Sequence, residues 1–359
     1  MEKENEIKLE TTNLDTDDTV PKKKKKGLKI WVVVFAFFDL IAIFCLFLMY
    51  GPISYFRNLW VTSAMTTMSH NYLAYVFFSE NQVKNIMSNN TIVESEEDTN
   101  TDAIFISNED PGVYSSIYEE QILKRNPGND LYKVIDVSGT GYKGHLLVVY
   151  DPSRIDLVQS PNLPHGGKQL DDLVEINDAY AGINASGFYY SETTGYIPSD
   201  VVIMDNKLVW GPKDKVASWG GIIGFNNDNV LVLTKSTGEE ALEMGIRDAI
   251  SFGPFLIVNG EPAKFTGNGG YGIAPRTAIG QRKDGIVLLL VIDGRRPGHS
   301  LGVDMVELMN ILLRYGAYNA SNLDGGGSSS IVVDGKVLSV AGGYGYTGER
   351  YLPNAWIVK

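Results

Sequence analysis

Three glycines follow Asp324 directly, and serines follow the glycines, in the run Asn-Leu-Asp-Gly-Gly-Gly-Ser-Ser-Ser that begins at residue 322. Consecutive glycines lose much backbone entropy on folding, so such a run is typical of a sharp turn or of a close approach to a ligand. Backbone N–H groups in such a turn can bind an anion. Asp324 is therefore the first candidate for chemistry, and a solvated acid on a glycine-rich loop is the alternative.

A second acid, Asp293, follows an apolar stretch in the same way. The pattern predicts strands at 286–292 and 319–323 with a helix at 303–315 between them. If this unit is a parallel crossover, Asp293 and Asp324 emerge on the same edge of the sheet. Two carboxylates on one edge suit acid–base or nucleophilic work on a glycosidic bond. For Asp293 a plain Asp-Gly turn is the alternative.

Arginines accompany both acids along the chain. Arg276 begins the run Arg-Thr-Ala-Ile-Gly, Arg295 and Arg296 follow Asp293, and Arg350 lies in Gly-Glu-Arg-Tyr-Leu-Pro-Asn. Arginine binds phosphate through two parallel hydrogen bonds, so these side chains predict an anionic ligand. For Arg276, at the start of an apolar strand, the alternative is a salt bridge to a structural aspartate.

Other kinds of chemistry have weaker support in the sequence. Asn322 and Asp324 could bind Ca²⁺ through oxygen ligands, although no cofactor is expected to be required. A serine hydrolase that uses Ser328 with His299 or His165 would lack the Gly-x-Ser-x-Gly elbow. A phosphate-binding P-loop is excluded because no lysine follows the glycines. Without a His/Cys cluster, the two histidines are expected to form local hydrogen bonds.

The strands and helices predicted around these residues indicate an α+β fold. We expect a strand-rich domain with a mixed sheet and few helices. Turn pairs at 205–206, 259–260 and 334–335 indicate hairpins. A weak helix is expected at 170–178, and the best helix is the one at 303–315. Besides the two strands named above, strands are predicted at 131–137, 145–150, 179–184, 201–204, 207–210, 221–225, 230–234, 254–258, 276–281, 331–333 and 336–338.

The N-terminal part predicts a membrane anchor. Five lysines at 22–26 precede the 21 residues from Ile30 to Tyr50, in which Asp39 is the one charge. That length can span a bilayer as a helix, and the lysines place the N-terminus in the cytoplasm and the body outside. The apolar run exceeds a signal-peptide core, so an uncleaved single-pass anchor is favoured over a cleaved signal peptide.

The predicted organisation has five parts. Residues 1–29 form a disordered tail, 30–50 the transmembrane anchor, 51–88 a juxtamembrane helix or stalk, 89–110 an acidic linker, and 111–359 the functional domain. The net charge of −12 argues against nucleic acid as a partner. Cys45, the one cysteine, lies inside the anchor, so the outer part has no disulfide, which favours a bacterial cell envelope.

Several of these segments together resemble the phosphodiester glycosidase family, over roughly residues 130–359. The motifs are Ala-Gly-Ile-Asn-Ala-Ser-Gly-Phe at 181–188, Ser-Phe-Gly-Pro-Phe-Leu at 251–256, Pro-Arg-Thr-Ala-Ile-Gly at 275–280, Asp-Gly-Arg at 293–295 and Asn-Leu-Asp-Gly-Gly-Gly-Ser at 322–328. The resemblance implies hydrolysis of the bond between a sugar C1 and a doubly esterified phosphate. Substrates of this kind include cell-wall polymers, exopolysaccharides and nucleotide sugars.

The resemblance also implies the site. Asp324, Asp293 and Arg276 are expected to be catalytic, with one carboxylate as base or nucleophile and Arg276 on the phosphodiester. The expected substrate- and phosphate-binding residues are Asn184, Asn322, Gly325, Gly326, Gly327, Ser328, Arg295 and Arg350, and Asn354 completes the closing Arg-x-x-x-Asn pattern. Ala185 and Ser186 depart from the family's Asn-Gly-Gly or Asn-Gly-Asp, which bears on substrate shape. The alternative function is an anchored glycan- or teichoic-acid-binding module without turnover.

Overall fold

The computed structural model describes residues 26–67, 70–107, 110–217, 220–340 and 349–359, which form two compact units. The first ends at Ile53 and contains helix α1 (Lys26–Tyr50). By length and composition its 21 residues from Ile30 to Tyr50 can cross a membrane, and they are not buried in the protein. The rest of the predicted tail, residues 1–25, lies outside the described residues.

The second unit, Ser54–Lys359, contains the remaining helices and all the strands. Its helices are α2 (Ser54–Met65), α3 (Glu80–Ser88), α4 (Ile117–Leu123), α5 (Leu170–Glu175), α6 (Gly238–Glu243) and α7 (Met305–Arg314). Short 3-10 turns lie at Asn71–Val76, Thr101–Ala103, Pro152–Arg154 and Gly326–Ser328. The strands are β1 (Ile92–Val93), β2 (Tyr132–Gly139), β3 (Tyr142–Val149), β4 (Ile155–Gln159), β5 (Ala181–Asn184), β6 (Phe188–Ser191), β7 (Gly195–Pro198), β8 (Val202–Met204), β9 (Lys207–Trp210), β10 (Gly221–Asn226), β11 (Leu231–Thr234), β12 (Ile246–Phe252), β13 (Phe255–Val258), β14 (Glu261–Pro262), β15 (Lys264–Phe265), β16 (Arg276–Arg282), β17 (Val287–Ile292), β18 (Ala317–Asn322), β19 (Ile331–Val333), β20 (Lys336–Val337) and β21 (Asn354–Val358). This strand-rich α+β architecture confirms the predicted fold class.

Three sheets enclose the core. The largest has the order β14-β13-β18-β16-β17-β3-β2, and the two five-stranded sheets have the orders β20-β19-β5-β21-β4 and β11-β10-β12-β8-β9. One hydrophobic cluster takes side chains from all three sheets, and Trp356 and Phe225 meet edge to face within it. A second cluster lies on the opposite face of the seven-stranded sheet, beneath α7. The large sheet is therefore buried on both faces.

Strand β17 shows why its sequence is apolar without a break. Val287, Leu289 and Val291 pack in the cluster shared by the three sheets. The residues between them, together with Ile292, pack in the cluster beneath α7. Alternate side chains of a strand point to opposite faces, so a strand covered on both sides needs apolar residues at every position. The predicted double burial of this strand is confirmed.

Helix α7 connects β17 to β18 and has clear boundaries. The Asp304 side chain accepts the Glu307 N–H at 2.9 Å and caps the first turn. Gly316, with a φ of +80°, follows the last turn in the left-handed conformation that glycine adopts easily. Leu308 and Leu312 are buried against the sheet. The helix predicted at 303–315 is therefore present, with its ends shortened slightly.

Residues 54–107 belong to the same compact unit as the predicted domain, rather than standing apart as a stalk and a solvated linker. Strand β1 pairs with β15. The Glu94 carboxylate accepts the Phe255 N–H at 2.8 Å, and the Thr99 N–H donates to the Leu233 carbonyl at 3.1 Å. The acidic composition suggested solvation, whereas the Glu94 side chain and the Thr99 backbone bond to backbone groups of the domain.

Candidate functional site

The two strands that carry the acids run parallel, with one strand between them. β17 and β18 both pair antiparallel with β16, so their carboxyl ends lie at the edge where β16 begins. Asp293 directly follows β17, Asp324 follows β18 by two residues, and Arg276 is the first residue of β16. The predicted placement of both acids on one edge is confirmed. The intervening strand was not predicted to lie between them.

Asp293 is buried and has partners for both carboxylate oxygens. It is 3% exposed, its Oδ2 lies 2.7 Å from His299 Nε2, and its Oδ1 accepts the Val340 N–H at 2.9 Å. The Ser300 hydroxyl donates to the Asp293 carbonyl at 2.5 Å and holds the backbone. The His299 side chain is 36% exposed, so the ring extends from the buried acid toward solvent. This arrangement lets Asp293 orient an imidazole that can exchange protons.

Asp324 is half-buried at the start of the glycine turn. Its Oδ1 accepts the Gly325 N–H at 3.0 Å, and the Ser328 hydroxyl is a second hydrogen-bond partner of the carboxyl group. Burial raises the pKa of Asp324 to about 6, against the opposing effects of the Ser328 hydrogen bond, the Arg350 charge and the Gly325 N–H. A carboxyl group with this pKa changes protonation near neutral pH, which is typical of catalytic acids and bases.

Two arginines approach the glycine turn. Arg350 Nη1 donates to Ser328 Oγ at 3.2 Å, and its guanidinium carbon lies 4.4 Å from the centre of the Phe188 ring. A Cβ added at Gly326 would lie 3.2 Å from Arg295 Nη2, and Gly326 also has a positive φ of +63°. The positive φ favours glycine at this position, and a side chain there would also crowd the neighbouring guanidinium. The two positive charges make the turn a suitable place for a phosphate group.

Arg276 has a different environment from the one predicted. Its Nε donates to the Val303 carbonyl at 3.3 Å, and its Nη2 donates to the carbonyls of Tyr271 and Gly272 at 2.9 and 2.8 Å. Burial lowers the pKa of Arg276 to about 10, which leaves it charged at neutral pH. Its hydrogen-bond partners are carbonyls, neither a structural aspartate nor an open phosphate position. Arg276 braces the backbone at this edge.

The two asparagines predicted to bind substrate also hold the framework. Asn184 Nδ2 donates to the Asp324 carbonyl at 2.7 Å, while its Oδ1 accepts the Thr277 hydroxyl at 2.8 Å and the Ser330 N–H at 3.1 Å. Asn322 Nδ2 donates to the Gly253 carbonyl at 2.8 Å. Asn184 thus fixes the backbone of Asp324 relative to β16 and to the strand after the glycine turn.

The Ser186 departure from the family pattern has a structural explanation. Both the N–H and the hydroxyl of Ser186 donate to Asn354 Oδ1, at 2.9 and 2.8 Å. The preceding Ala185 carbonyl accepts the Asp324 N–H at 3.3 Å. The loop after β5 is therefore tied both to the start of β21 and to the glycine turn.

The glycine amides are only partly available to an anion. The Gly325 N–H donates to Asp324 itself, and the Gly326 N–H donates to the Pro275 carbonyl at 2.9 Å. Gly327 lies in the 3-10 turn Gly326–Ser328. Fewer backbone N–H groups are therefore available to an anion than the three that were expected. The predicted phosphate binding depends more on the arginines.

The Ca²⁺ site considered for Asn322 and Asp324 stays a prediction. Ca²⁺ takes about six to eight oxygen ligands. Among the described residues no group of three or more His, Cys, Asp or Glu side chains could hold a metal ion. Asn322 Oδ1 is buried without a hydrogen-bond partner in the described part of the chain.

Sequence reasoning missed several residues of this edge. His299 was expected to form only a local hydrogen bond. Its partner is Asp293, one of the two candidate acids of the site. Ser330 Oγ donates to the Glu349 carboxylate at 2.6 Å, and burial raises the pKa of Glu349. Phe188, which stacks on Arg350, carried no signal beyond its motif. A signal for His299 was available, because a buried acid after an apolar strand requires a partner nearby.

The sequence profile of the phosphodiester glycosidase family matches residues 177–359, half of the chain, and the match contains every residue of the edge described above. The chain belongs to the phosphodiester glycosidase family. The resemblance inferred from the motifs is confirmed.

Individual curated proteins also resemble parts of the chain. A prophage-derived uncharacterized protein, YomE, of Bacillus subtilis is 36% identical over 101 residues, which cover 27% of this chain and 16% of YomE. The N-acetylglucosamine-1-phosphodiester alpha-N-acetylglucosaminidase of Bos taurus is 26% identical over 195 residues, 54% of this chain and 31% of the bovine protein. The chain spans less than half the length of the curated relatives it matches.

A solved structure supports the fold. The zebrafish N-acetylglucosamine-1-phosphodiester alpha-N-acetylglucosaminidase catalytic domain, auto-inhibited by its pro-peptide, superposes with a TM-score of 0.52 at 21% identity. The superposition covers 63% of this chain and 81% of the zebrafish chain. At this identity the match shows that the two chains share the fold.

Proposed function

We propose that this chain is a hydrolase that cleaves a glycosyl-1-phosphodiester between the sugar C1 and the bridging oxygen. The observation that carries the proposal is Asp324, a carboxyl group with a pKa of about 6 beside a serine that Arg350 contacts. Family membership and the names of the curated relatives support the same bond type. The proposed substrates are cell-wall polymers, exopolysaccharides and nucleotide sugars.

The phosphate would be bound by Arg350 and Arg295, which approach the glycine turn from different segments of the chain. Guanidinium groups stabilise the negative charge that develops on the phosphate as the bond to C1 breaks. A phosphate monoester is a good leaving group, so the bridging oxygen needs little help from a general acid. Arg276 contributes indirectly by bracing the segment 271–272 and the start of α7.

Water activation is assigned to His299, with Asp293 as its orienting partner. His299 accepts a proton from water, the water oxygen forms the new bond to C1, and the electron pair of the broken bond leaves with the phosphate. Asp324, ionised above its pKa of about 6, stabilises positive charge at C1 in the transition state. The proton on His299 then returns to solvent, and no cofactor takes part. Chelation with EDTA is therefore expected to leave the rate unchanged.

The same proposal includes the location of the site. With α1 across the cell membrane and its lysine-rich end in the cytoplasm, residues 54–359 lie on the outer side. Protease added to intact cells is then expected to degrade this part, while an epitope tag placed before Met1 is spared. Degradation of the tag in intact cells would reverse the orientation.

The activity is tested by incubating the full-length protein in detergent with UDP-N-acetylglucosamine or a glycosyl-phosphate polymer and measuring reducing sugar. Wild type is expected to release sugar, and Asp324→Asn is expected to release none. Asp136→Asn, an exposed acid outside the edge, is the matched control and should behave as wild type. Ligand that stays bound and intact in the wild-type sample would instead identify a binding module.

A further inference from the structure

Exposed apolar side chains cluster in the first elements of the second unit. Tyr55 and Phe56 lie in the first turn of α2, and Tyr72, Tyr75 and Val76 lie in the 3-10 turn that follows. Tyr72 and Val76 are 58% and 60% exposed, although their neighbour Ala74 is fully buried. We call these five residues the aromatic surface. Large apolar side chains left exposed on neighbouring elements are typical of surfaces that bind a partner or a membrane.

The aromatic surface is attached firmly to its own supporting elements. Trp60 Nε1 donates to the Leu73 carbonyl at 3.0 Å and joins α2 to the 3-10 turn. The Trp60 and Phe77 rings meet edge to face, with centroids 5.5 Å apart. The two groups of exposed side chains therefore belong to one packed hairpin.

This hairpin is in turn fixed to the catalytic domain. Asn268 Nδ2 donates to the Thr62 hydroxyl at 2.8 Å, and the Thr66 hydroxyl donates to the Tyr271 carbonyl at 3.1 Å. A Cβ added at Gly272 would lie 2.6 Å from the Ser63 Cα, so α2 packs closely on the domain backbone. The Tyr271 carbonyl also accepts a hydrogen bond from Arg276. The hairpin and the site edge are therefore connected through Tyr271.

The charge pattern and the position in the chain favour one occupant. Residues 51–79 contain no aspartate or glutamate, in a chain with a net charge of −12. Helix α2 begins at Ser54, four residues after Tyr50 ends the apolar helix. Three residues, 51–53, separate the two helices, so a chain anchored by α1 holds the start of α2 within a short span of the membrane surface. Tyrosine rings are enriched at that level of the membrane, where their apolar body and polar hydroxyl are both accommodated.

We propose that the aromatic surface sits in the boundary between headgroups and acyl chains of the membrane that α1 crosses. The proposal rests on the anchoring part of the proposed function and is independent of the catalytic step. Lipid contact covers the exposed rings, and the absence of acidic side chains avoids repulsion from lipid phosphates. Because the hairpin is fixed to the domain, this contact also sets the orientation of the domain on the membrane.

The test uses the full-length protein in phosphatidylcholine–phosphatidylglycerol nanodiscs, with Cys45→Ala removing the native thiol. A fluorescent label is attached at Val76→Cys or at Tyr72→Cys, and the lipids carry a nitroxide near the headgroup end of the acyl chain. We expect both labels to be quenched at least about twofold relative to discs without nitroxide. The matched control is Val113→Cys, at a residue that is 81% exposed outside the aromatic surface, and its label should keep its intensity.

Two results would overturn the proposal. One is a label at residue 76 that is no more quenched than the label at residue 113. The other is disulfide cross-linking of two Val76→Cys chains in one disc together with unquenched label, which would show that a second copy covers the surface. Sugar release, measured on the same nanodiscs, tests the hydrolase proposal separately, since neither labelled position lies at the site edge.

Discussion

Asp293 and Asp324 lie at the ends of two parallel strands in one sheet, yet the chain surrounds them differently. Asp293 is buried, and His299 and the Val340 N–H occupy its two oxygens. Asp324 is half-buried at a glycine turn, where Ser328 and the Gly325 N–H contact it and burial raises its pKa to about 6. The two strands place the acids at the same edge of the sheet. The segments that follow the strands give the two carboxyl groups different partners and different burial.

After β17 the chain folds back on itself. The His299 N–H donates to the Arg296 carbonyl at 2.9 Å, and this turn carries the imidazole to Asp293. After β18 the glycines form the 3-10 turn Gly326–Ser328, which carries a hydroxyl to Asp324. Two acids whose environments differ in this way are suited to two different roles in one reaction. In the proposed mechanism Asp293 positions His299, and Asp324 contacts the substrate directly.

The largest effect is expected from Asp324→Asn. The amide keeps the shape of the side chain and removes the negative charge at C1, so kcat should fall by about 10³-fold or more. The measurement is reducing-sugar release, with circular dichroism to establish that the fold is kept. Turnover within tenfold of wild type would remove Asp324 from the mechanism.

A smaller loss is expected at the other acid, where two residues act as a unit. His299→Gln and Asp293→Asn should each lower kcat by about 10²-fold, and the double variant should be no worse than His299→Gln alone. Kinetics of the three variants across pH provide the measurement.

The chain offers a matched control for this pair. His145 Nδ1 and Asp136 Oδ1 form a similar pair at 2.9 Å on β3 and β2. His145→Gln should leave kcat unchanged. If the His299→Gln and Asp293→Asn losses multiply in the double variant, the two residues act independently and the assignment of Asp293 to positioning is wrong.

Arg350 and Arg276 can be compared in the same way: Arg350 is expected to bind the phosphate, and Arg276 is expected to support the backbone. Arg350→Gln should raise KM by about tenfold with little change in stability, because it loses one charge-assisted contact to phosphate. Arg276→Gln should instead lower the free energy of unfolding by roughly 2–3 kcal/mol, because buried carbonyls lose their donor. Steady-state kinetics and urea denaturation in detergent separate the two. If Arg276→Gln keeps the stability of wild type and raises KM, Arg276 binds the phosphate and the assignment to support is wrong.

The smallest effect is a pH dependence of stability. The folded-state pKa of Asp324, about 6, lies above its ordinary value of 3.8, so the folded protein binds this proton more tightly than the unfolded chain. Stability from this group is present below pH 4 and is lost as pH rises through about 6. Asp324→Asn should therefore stabilise the protein relative to wild type by roughly 1–2 kcal/mol at pH 7.5, and by almost nothing at pH 4. Equal differences at both pH values would contradict the raised pKa.

Local patterns in the sequence were sufficient to predict much of the fold. The apolar run of β17, the amphipathic α7 and the hairpin turn at 205–206 each carry their own signal. The strand–helix–strand pattern at 286–323, taken as a parallel crossover, then placed Asp293 and Asp324 on one edge of the sheet. The order of strands in the sheet has no such signal, because pairing between distant segments depends on the whole core. For that reason the position of β16 between β17 and β18 came from the structure.

Roles that depend on irregular segments were harder to predict. Arg276 looked like a phosphate ligand by its type and motif, but its partners are the carbonyls of Tyr271, Gly272 and Val303. His299 lies in a turn without periodicity. Residues 89–107 looked like a linker because of their acids, although Glu94 and Thr99 bond to the domain. In each case the deciding partner is remote in sequence or is a backbone group.

The central claim is tested most directly by following oxygen during turnover. The full-length protein is incubated with a glycosyl-1-phosphodiester in water labelled with a heavy oxygen isotope, and both products are analysed by mass spectrometry. Attack of water at C1, with Asp324 stabilising the charge there, predicts that the label enters the sugar and that Asp324→Asn gives no product. Label in the phosphate product would show cleavage of the phosphorus–oxygen bond and would contradict the account.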